Sequence, residues 1–210
     1  MLVKICGITR LEDALAAAEA GADAVGFNFW RPGKRYVTPE RAAEIAAALP
    51  ASVRRVGVFV DEAPEAVGKI AVSAKLDVLQ FHGLETAKYM QAFPWTTWKV
   101  IHMTQAWSPV GLPAFSKCEA FLLDNAGTTP GGTGQKFDWT RAVAAKKFGH
   151  VILAGGLTPV NVGDAVRAVQ PWGVDVASGV EDSPGIKNHA LVRDFVRAAR
   201  PAGTQLEEIA

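Results

Sequence analysis

Val3-Lys4-Ile5-Cys6-Gly7-Ile8-Thr9 is the stretch from which the fold can be read. Val3–Cys6 has the pattern of a strand, and Gly7 stops it. Side chains alternate along a strand, so Leu2, Lys4 and Cys6 share one face while Val3 and Ile5 share the other. One face is apolar. The other carries a lysine and a thiol, an odd pair for a plain core strand. If both faces are buried, the second must line something polar.

Working outward, the same strand-then-helix pattern recurs eight times. The expected units are Val3–Cys6 with Leu11–Ala20, Ala24–Phe29 with Pro39–Leu49, and Val53–Val60 with Pro64–Ala74. Asp77–Phe81 with Glu85–Ala92 follows, and then Trp98–His102 with a poorly patterned stretch to Phe115. The last three are Ala120–Asp124 with Asp138–Lys147, Val151–Ala154 with Val160–Val169, and Val174–Ala177 with His189–Ala199. The strands are short and apolar on both faces, as parallel strands covered by helices should be. Thr38 before Pro39 is a helix start signal. Eight units in about 200 residues is the rhythm of a single (β/α)8 barrel. A doubly wound open sheet is the rival, but the Gly-x-Gly-x-x-Gly turn that often follows its first strand is missing. The barrel is expected over residues 1–200, with the tail from Pro201 frayed.

Composition narrows the function classes. The 210 residues are 49% apolar and 20% charged, with a formal net charge of +1. That balance gives no electrostatic case for a nucleic-acid or membrane partner. No run approaches the roughly 18 apolar residues of a membrane span, and strand-like sequence begins at once where a signal peptide would sit. A cytoplasmic protein is expected. Two cysteines are too few for a disulfide scaffold, and both thiols should be free. The chain is compatible with a monomer or a homodimer.

The chemistry should sit where barrel strands end. Two long stretches, Trp30 to Thr38 and Asn125 to Phe137, follow strands two and six and belong to the C-terminal face. Three glycine clusters stand at that face: Gly131-Gly132-Thr133-Gly134, Ala154-Gly155-Gly156-Leu157 and Ala177-Ser178-Gly179-Val180-Glu181. Glycines let backbone N–H groups converge on an anion, and the loops after strands seven and eight are the usual phosphate cup of a barrel. Strand-to-helix turns alone explain one or two of these glycines, not three clusters. Gly132, Thr133, Gly134, Gly155, Gly156, Ser178 and Gly179 are therefore candidate phosphate-binding residues.

Cys6 is either a small apolar filler or a catalyst at the rim. Cys118, ahead of the sixth strand, belongs at the opposite end. Asp124 closes the sixth strand, as a helix cap, as a rim charge or as a general acid whose surroundings favour its protonated form. Gln80 and His82 share a face, and His82 is either a hydrogen-bonded rim residue or a substrate contact. Arg35 is either a solvated loop charge or a bidentate carboxylate clamp. Asp175 is the first candidate to balance the inward Lys4. Arg35, Gln80, His82 and Asp175 form the candidate substrate-binding set. The four histidines make no metal-ligand spacing, and the six tryptophans are not interleaved with basic residues.

These residues resemble a known family. Lys4-Ile5-Cys6-Gly7-Ile8-Thr9, Arg35-Tyr36-Val37, Gln80-Phe81-His82-Gly83, Leu123-Asp124, Gly131-Gly132-Thr133-Gly134, Leu153-Ala154-Gly155-Gly156-Leu157 and Ser178-Gly179-Val180-Glu181 are similar, in order and spacing, to phosphoribosylanthranilate isomerase of tryptophan biosynthesis. The likeness runs from Val3 to Phe195. Phe81, in place of a more usual aliphatic residue, and Asn188, where an acidic residue is common, depart from it. The resemblance implies an Amadori rearrangement of N-(5′-phosphoribosyl)anthranilate without metal or cofactor. It makes Cys6 the base, Asp124 the acid, Arg35 the holder of the anthranilate carboxylate and the glycines the phosphate site. Thiolate and protonated carboxyl reverse the ordinary acidities, so the site is expected to lower the thiol pKa and raise the carboxyl pKa. Two rivals fit the same barrel: an isomerase of the histidine pathway, whose first strand typically ends in aspartate, and a non-catalytic phosphate-binding barrel.

Overall fold

The computed structural model describes residues 1–104, 106–125 and 140–200. The Gly132-Thr133-Gly134 cluster, Asp138 and the tail from Pro201 lie outside the described residues. Eight parallel strands close into a barrel in chain order: β1 Leu2–Cys6, β2 Ala24–Asn28, β3 Arg54–Phe59, β4 Val78–Phe81, β5 Thr96–Met103, β6 Ala120–Asn125, β7 His150–Leu153 and β8 Gly173–Val176. Helices α1 Leu11–Glu19, α2 Pro39–Ala48, α3 Pro64–Ser73, α4 Ala87–Met90, α5 Thr140–Ala145, α6 Val162–Val169 and α7 His189–Ala199 alternate with them. The eightfold barrel read from the sequence is the fold. Among the described residues no helix is long and apolar enough to cross a membrane.

Local chemistry accounts for most boundaries. Thr38 caps α2 by accepting from Arg41 N at 3.2 Å, with Pro39 at the first helical position. Asn188 caps α7 by accepting from Leu191 N at 3.0 Å, so the departure at this position still supplies a side-chain oxygen.

Three stretches differ from expectation. Helix α4 covers only Ala87–Met90, because Glu85 is taken by the tertiary structure. Its buried carboxylate accepts from Gly83 N and Asp61 N at 2.9 Å and pairs with Lys99 Nζ at 2.9 Å. The stretch after β5 holds a 3-10 helix, Pro109–Phe115, which two prolines without N–H groups suit better than an α-helix. Between β8 and α7 lies a small hairpin, β9 Glu181–Ser183 and β10 Ile186–Lys187, too short to leave a periodic signature. Asp13 of α1 anchors it by accepting from Lys187 N at 3.1 Å, and also contacts His189 Nε2 at 2.8 Å.

Alternation along the strands makes two cores. Val3, Ile5, Val25, Phe27 and Leu79 face the helices, while Leu2, Ala24, Val56, Val78, Trp98 and Ile152 fill the barrel interior. Trp98 plugs the lower part, donating from Nε1 to Glu119 at 2.6 Å and meeting Trp172 edge-on. Above this apolar filling, the inward positions become polar. Lys4, Gln80, Asp124 and Asp175 are all buried. The face of β1 that carries lysine and thiol is the inward one.

Candidate active site

A cavity partly open to solvent occupies the C-terminal mouth of the barrel. Cys6, Arg35, Gln80, His82, Asp124, Asp175, Gly155, Gly156, Ser178 and Gly179 all line it. The sequence-predicted residues that fall among the described ones are thus brought to one cavity. Cys118 is not there. It borders a separate cavity with Phe93, Trp95 and Phe115, and both cysteines are free thiols.

Cys6 ends β1. Its register partner on β2 is Gly26, and Lys4, two residues earlier, is the register partner of Asp175 on β8. Lys4 is fully buried and its Nζ lies 2.8 Å from Asp175 Oδ1, the counter-charge expected from the sequence. The ammonium and the Cys6 sulfur border the same space over Gly26, where a Cβ would lie 3.1 Å from the one and 2.8 Å from the other. Burial pulls the Lys4 pKa down, but Asp175 and Cys6 outweigh it and hold the lysine above its ordinary value. The thiol differs from expectation. Burial pushes its pKa up and Asp175 adds to that, and the opposing pull of Lys4 and Lys187 does not cancel the rise. Desolvation of the anion is the larger effect in this site.

Arg35 reaches the cavity from the loop after β2. Gly7, with φ at +75°, makes room for it, since a Cβ there would overlap the arginine stem. Glu181 of β9 grips the guanidinium through Nε at 2.8 Å and Nη2 at 2.6 Å. Lys187 Nζ sits on the same carboxylate at 2.7 Å and donates to the Ala177 carbonyl. Arg35 is therefore no solvated loop charge. Its bonds to Glu181 raise its pKa. Burial opposes ionisation of Glu181, yet Arg35 and Lys187 keep it below the usual carboxylate range. Among the described residues, Nη1 is the guanidinium nitrogen that Glu181 does not engage.

Across the mouth, His82 Nε2 stands 3.5 Å from Asp124 Oδ2. His102 of β5 lies beside them, its Nε2 3.3 Å from the His82 carbonyl. Burial and the neighbouring His82 lower the His102 pKa, favouring the neutral ring. Gln80 Oε1 is buried with no hydrogen-bond partner among the described residues. An acceptor left so at the wall of a cavity suits a ligand donor.

The loops after β7 and β8 pack backbone against backbone. A Cβ on Gly179 would overlap the Leu157 carbonyl, so no larger residue fits without moving a loop. Asn161 locks the first loop, donating to the Gly156 carbonyl and accepting from Thr158 N, both at 2.9 Å. Ser178–Val180 forms a 3-10 turn directly after β8.

Sequence reasoning missed the partners of these groups. Glu181 and Lys187 carry no motif of their own that marks them as the setting of Arg35. Asn28 and Trp30 also line the cavity. Asn28 is a polar residue closing a strand, as Asp124 nearly is, and that signal was available.

Comparison with known proteins bears on what such a mouth does. Residues 3–198 match the family model described as N-(5′phosphoribosyl)anthranilate (PRA) isomerase. The N-(5′-phosphoribosyl)anthranilate isomerase of Geobacter sp. (strain M21) is 48% identical over 199 residues, covering 94% of this chain and 97% of that protein. The one from Pseudomonas fluorescens (strain Pf0-1) is 46% identical over 94% of this chain and 97% of its own. The crystal structure of phosphoribosyl anthranilate isomerase from Thermotoga maritima superposes with a TM-score of 0.89 at 40% identity, covering 95% and 98% of the two chains. A structure of that enzyme type in complex with reduced 1-(o-carboxyphenylamino)-1-deoxyribulose 5-phosphate superposes at 0.85 with 39% identity, covering 95% and 98%. The chain belongs to the N-(5′-phosphoribosyl)anthranilate isomerase family.

Proposed function

We propose that Cys6 and Asp124 divide the proton transfers of the family's isomerisation. The reaction is the Amadori rearrangement of N-(5′-phosphoribosyl)anthranilate to 1-(2-carboxyphenylamino)-1-deoxyribulose 5-phosphate, in tryptophan biosynthesis. Asp124 gives a proton to the furanose ring oxygen. The C1′–O bond breaks and the nitrogen lone pair closes an iminium at C1′. The Cys6 thiolate then takes the C2′ proton, the released electron pair forms the C1′–C2′ double bond, and the iminium electrons return to nitrogen. The enolamine tautomerises to the ketone, gaining a proton at C1′ and losing one from the C2′ hydroxyl. A C–H beside an iminium is acidic enough for a thiolate.

The observation that carries this reading is that a thiol from β1 and a carboxyl from β6 line one cavity, beside a half-buried arginine and two glycine loops. Gly155, Gly156, Ser178 and Gly179 hold the phosphate through backbone N–H groups, Arg35 holds the anthranilate carboxylate, and Gln80, His82 and Asp175 face the ribose. The partner is a small phosphorylated substrate. A phosphorylated substrate does not cross a bilayer unaided, which supports a cytoplasmic reaction. The described lining comes from one chain, so a monomer suffices and a homodimer is compatible.

Cys6→Ala and Asp124→Asn should each lower kcat by at least ~10²-fold with the melting temperature and phosphate affinity unchanged. Cys6→Ser should be nearly as damaging. A well-folded Cys6→Ala protein turning over at the wild-type rate would overturn the assignment.

A further inference from the structure

Lys4 is costly for the fold. Its ammonium is fully buried in the barrel interior, and an apolar residue of similar volume paired with a neutral partner generally serves a core as well or better. Its surroundings show what it does instead. Lys4 and Cys6 lie on one face of β1, two residues apart. The space they share exists because Gly26 on β2 has no side chain. A Cβ there would come within 2.8 Å of the Cys6 sulfur and 3.1 Å of the Lys4 nitrogen. Glycine in the middle of a strand weakens it unless something must approach closely.

Of the cations around the sulfur, Lys187 on β10 and Arg35 on the β2 loop are both committed to Glu181 on β9. Lys4 touches one oxygen of Asp175 on β8 and retains donors for the sulfur. Asp124 and His82 face the same cavity from β6 and β4. An ammonium beside the sulfur, across the space that Gly26 leaves, stabilises the thiolate and does little for the neutral thiol. Its effect therefore falls on the form that removes the C2′ proton.

We propose that Lys4 is a positioning residue that keeps the Cys6 sulfur ionisable, and that Asp175 tempers it. This rests on the reading of Cys6 as the base. Lys4 keeps its own proton throughout. Asp175 holds the ammonium in place while its negative charge opposes the thiolate, so the two members of one ion pair act on the sulfur with opposite signs.

The test is the pH dependence of Cys6 alkylation by iodoacetamide, followed by mass spectrometry of the Cys6 peptide, with Cys118 as internal control. Lys4→Met should move the Cys6 titration up by at least ~1 pH unit. Asp175→Asn should move it down, and Cys118 should titrate as in the wild type in both. Gly26→Ala, which puts a methyl against both the sulfur and the ammonium and so separates them, should shift Cys6 in the same direction as Lys4→Met and serves if that variant folds poorly. A merely structural ion pair would lower the melting temperature in both charge variants and leave the titration in place. An unchanged titration in Lys4→Met or Gly26→Ala, or shifts of one sign in Lys4→Met and Asp175→Asn, would overturn the inference. If Cys6→Ala stays active, the reading of Cys6 as base fails instead, whatever the titrations show.

Discussion

His82 Nε2 lies 3.5 Å from Asp124 Oδ2, reaching from the end of β4 across β5 to β6. That is longer than an ordinary hydrogen bond. His102 stands between the strands with its ring centroid 5.3 Å from that of His82. The pair ties a rim histidine to the proposed acid without making the histidine the acid.

From this arrangement, His82→Gln is expected to lower kcat by about 10-fold, well short of the ~10²-fold loss for Asp124→Asn. Steady-state kinetics on the two purified variants decide it. Equal losses would give His82 a direct share in the proton transfer, and no loss would make it a rim residue.

The acidity of Cys6 sets the pH profile. In the proposed mechanism the active form carries a protonated Asp124 and an ionised Cys6, the scarcer of the two one-proton forms under the ordinary order of carboxyl and thiol acidities. The alkaline limb of kcat/KM then belongs to the thiol, since ionising it in the enzyme that already carries a carboxylate depletes the one-proton pool. Burial raises this thiol, so the limb should lie above the ordinary thiol value of ~8.5. Lys4→Met should move the limb higher and lower the plateau by the same factor. Profiles from about pH 5 to 10, set against the alkylation titration, test both; an alkaline limb near neutrality that follows Cys6 would contradict the structure.

Glu181 holds Arg35 in a two-point grip. Arg35→Lys should raise KM by at least ~10-fold with a smaller change in kcat, because a lysine cannot bind a carboxylate and Glu181 in one plane. The same carboxylate links stability to acid. Its folded pKa is below the unfolded value, so its contribution is present above the unfolded carboxylate pKa of ~4.3 and is lost as pH falls through the lower folded value. Melting temperatures should drop less steeply below about pH 4.3 in Glu181→Gln than in the wild type. Parallel curves would remove Glu181 from the acid response.

Glu85 and Lys99 form a second buried pair that knots the loops after β3 and β4. Glu85→Ala should destabilise the protein by about 3–5 kcal/mol, because the Lys99 ammonium loses its counter-charge inside the protein. Urea denaturation measures this. A loss under about 1 kcal/mol would mean that water reaches the lysine.

The glycine loops after β7 and β8, the proposed phosphate site, make the last expectation. Gly179→Val puts a side chain where the Leu157 carbonyl stands, so KM for the phosphorylated substrate should rise more than kcat falls. Inorganic phosphate should inhibit the wild type competitively at constant ionic strength. If a high phosphate concentration leaves the rate unchanged, these loops do not form the phosphate site.

What the sequence determined by itself is whatever repeats locally. The apolar periodicity marks eight strands and most of the helices between them, and α7 falls at His189–Ala199 as read. Alternation along Val3–Cys6 places Lys4 and Cys6 on the inward face before any partner is known. What only the tertiary structure decided is which charge meets which. Arg35 and Glu181 are 146 residues apart in the chain and Lys4 and Asp175 are 171 apart, and closure of the barrel is what joins them. Glu85 reads as the start of a helix until Lys99, on the neighbouring strand, claims its carboxylate. The thiol was expected to be acidic from the chemistry that the family resemblance implies, but its pKa depends on how much water the folded mouth removes from the anion, and burial outweighs two nearby ammonium groups. Periodicity is a property of neighbours in the chain; desolvation and pairing are properties of neighbours in space, and those exist only once β8 has closed against β1.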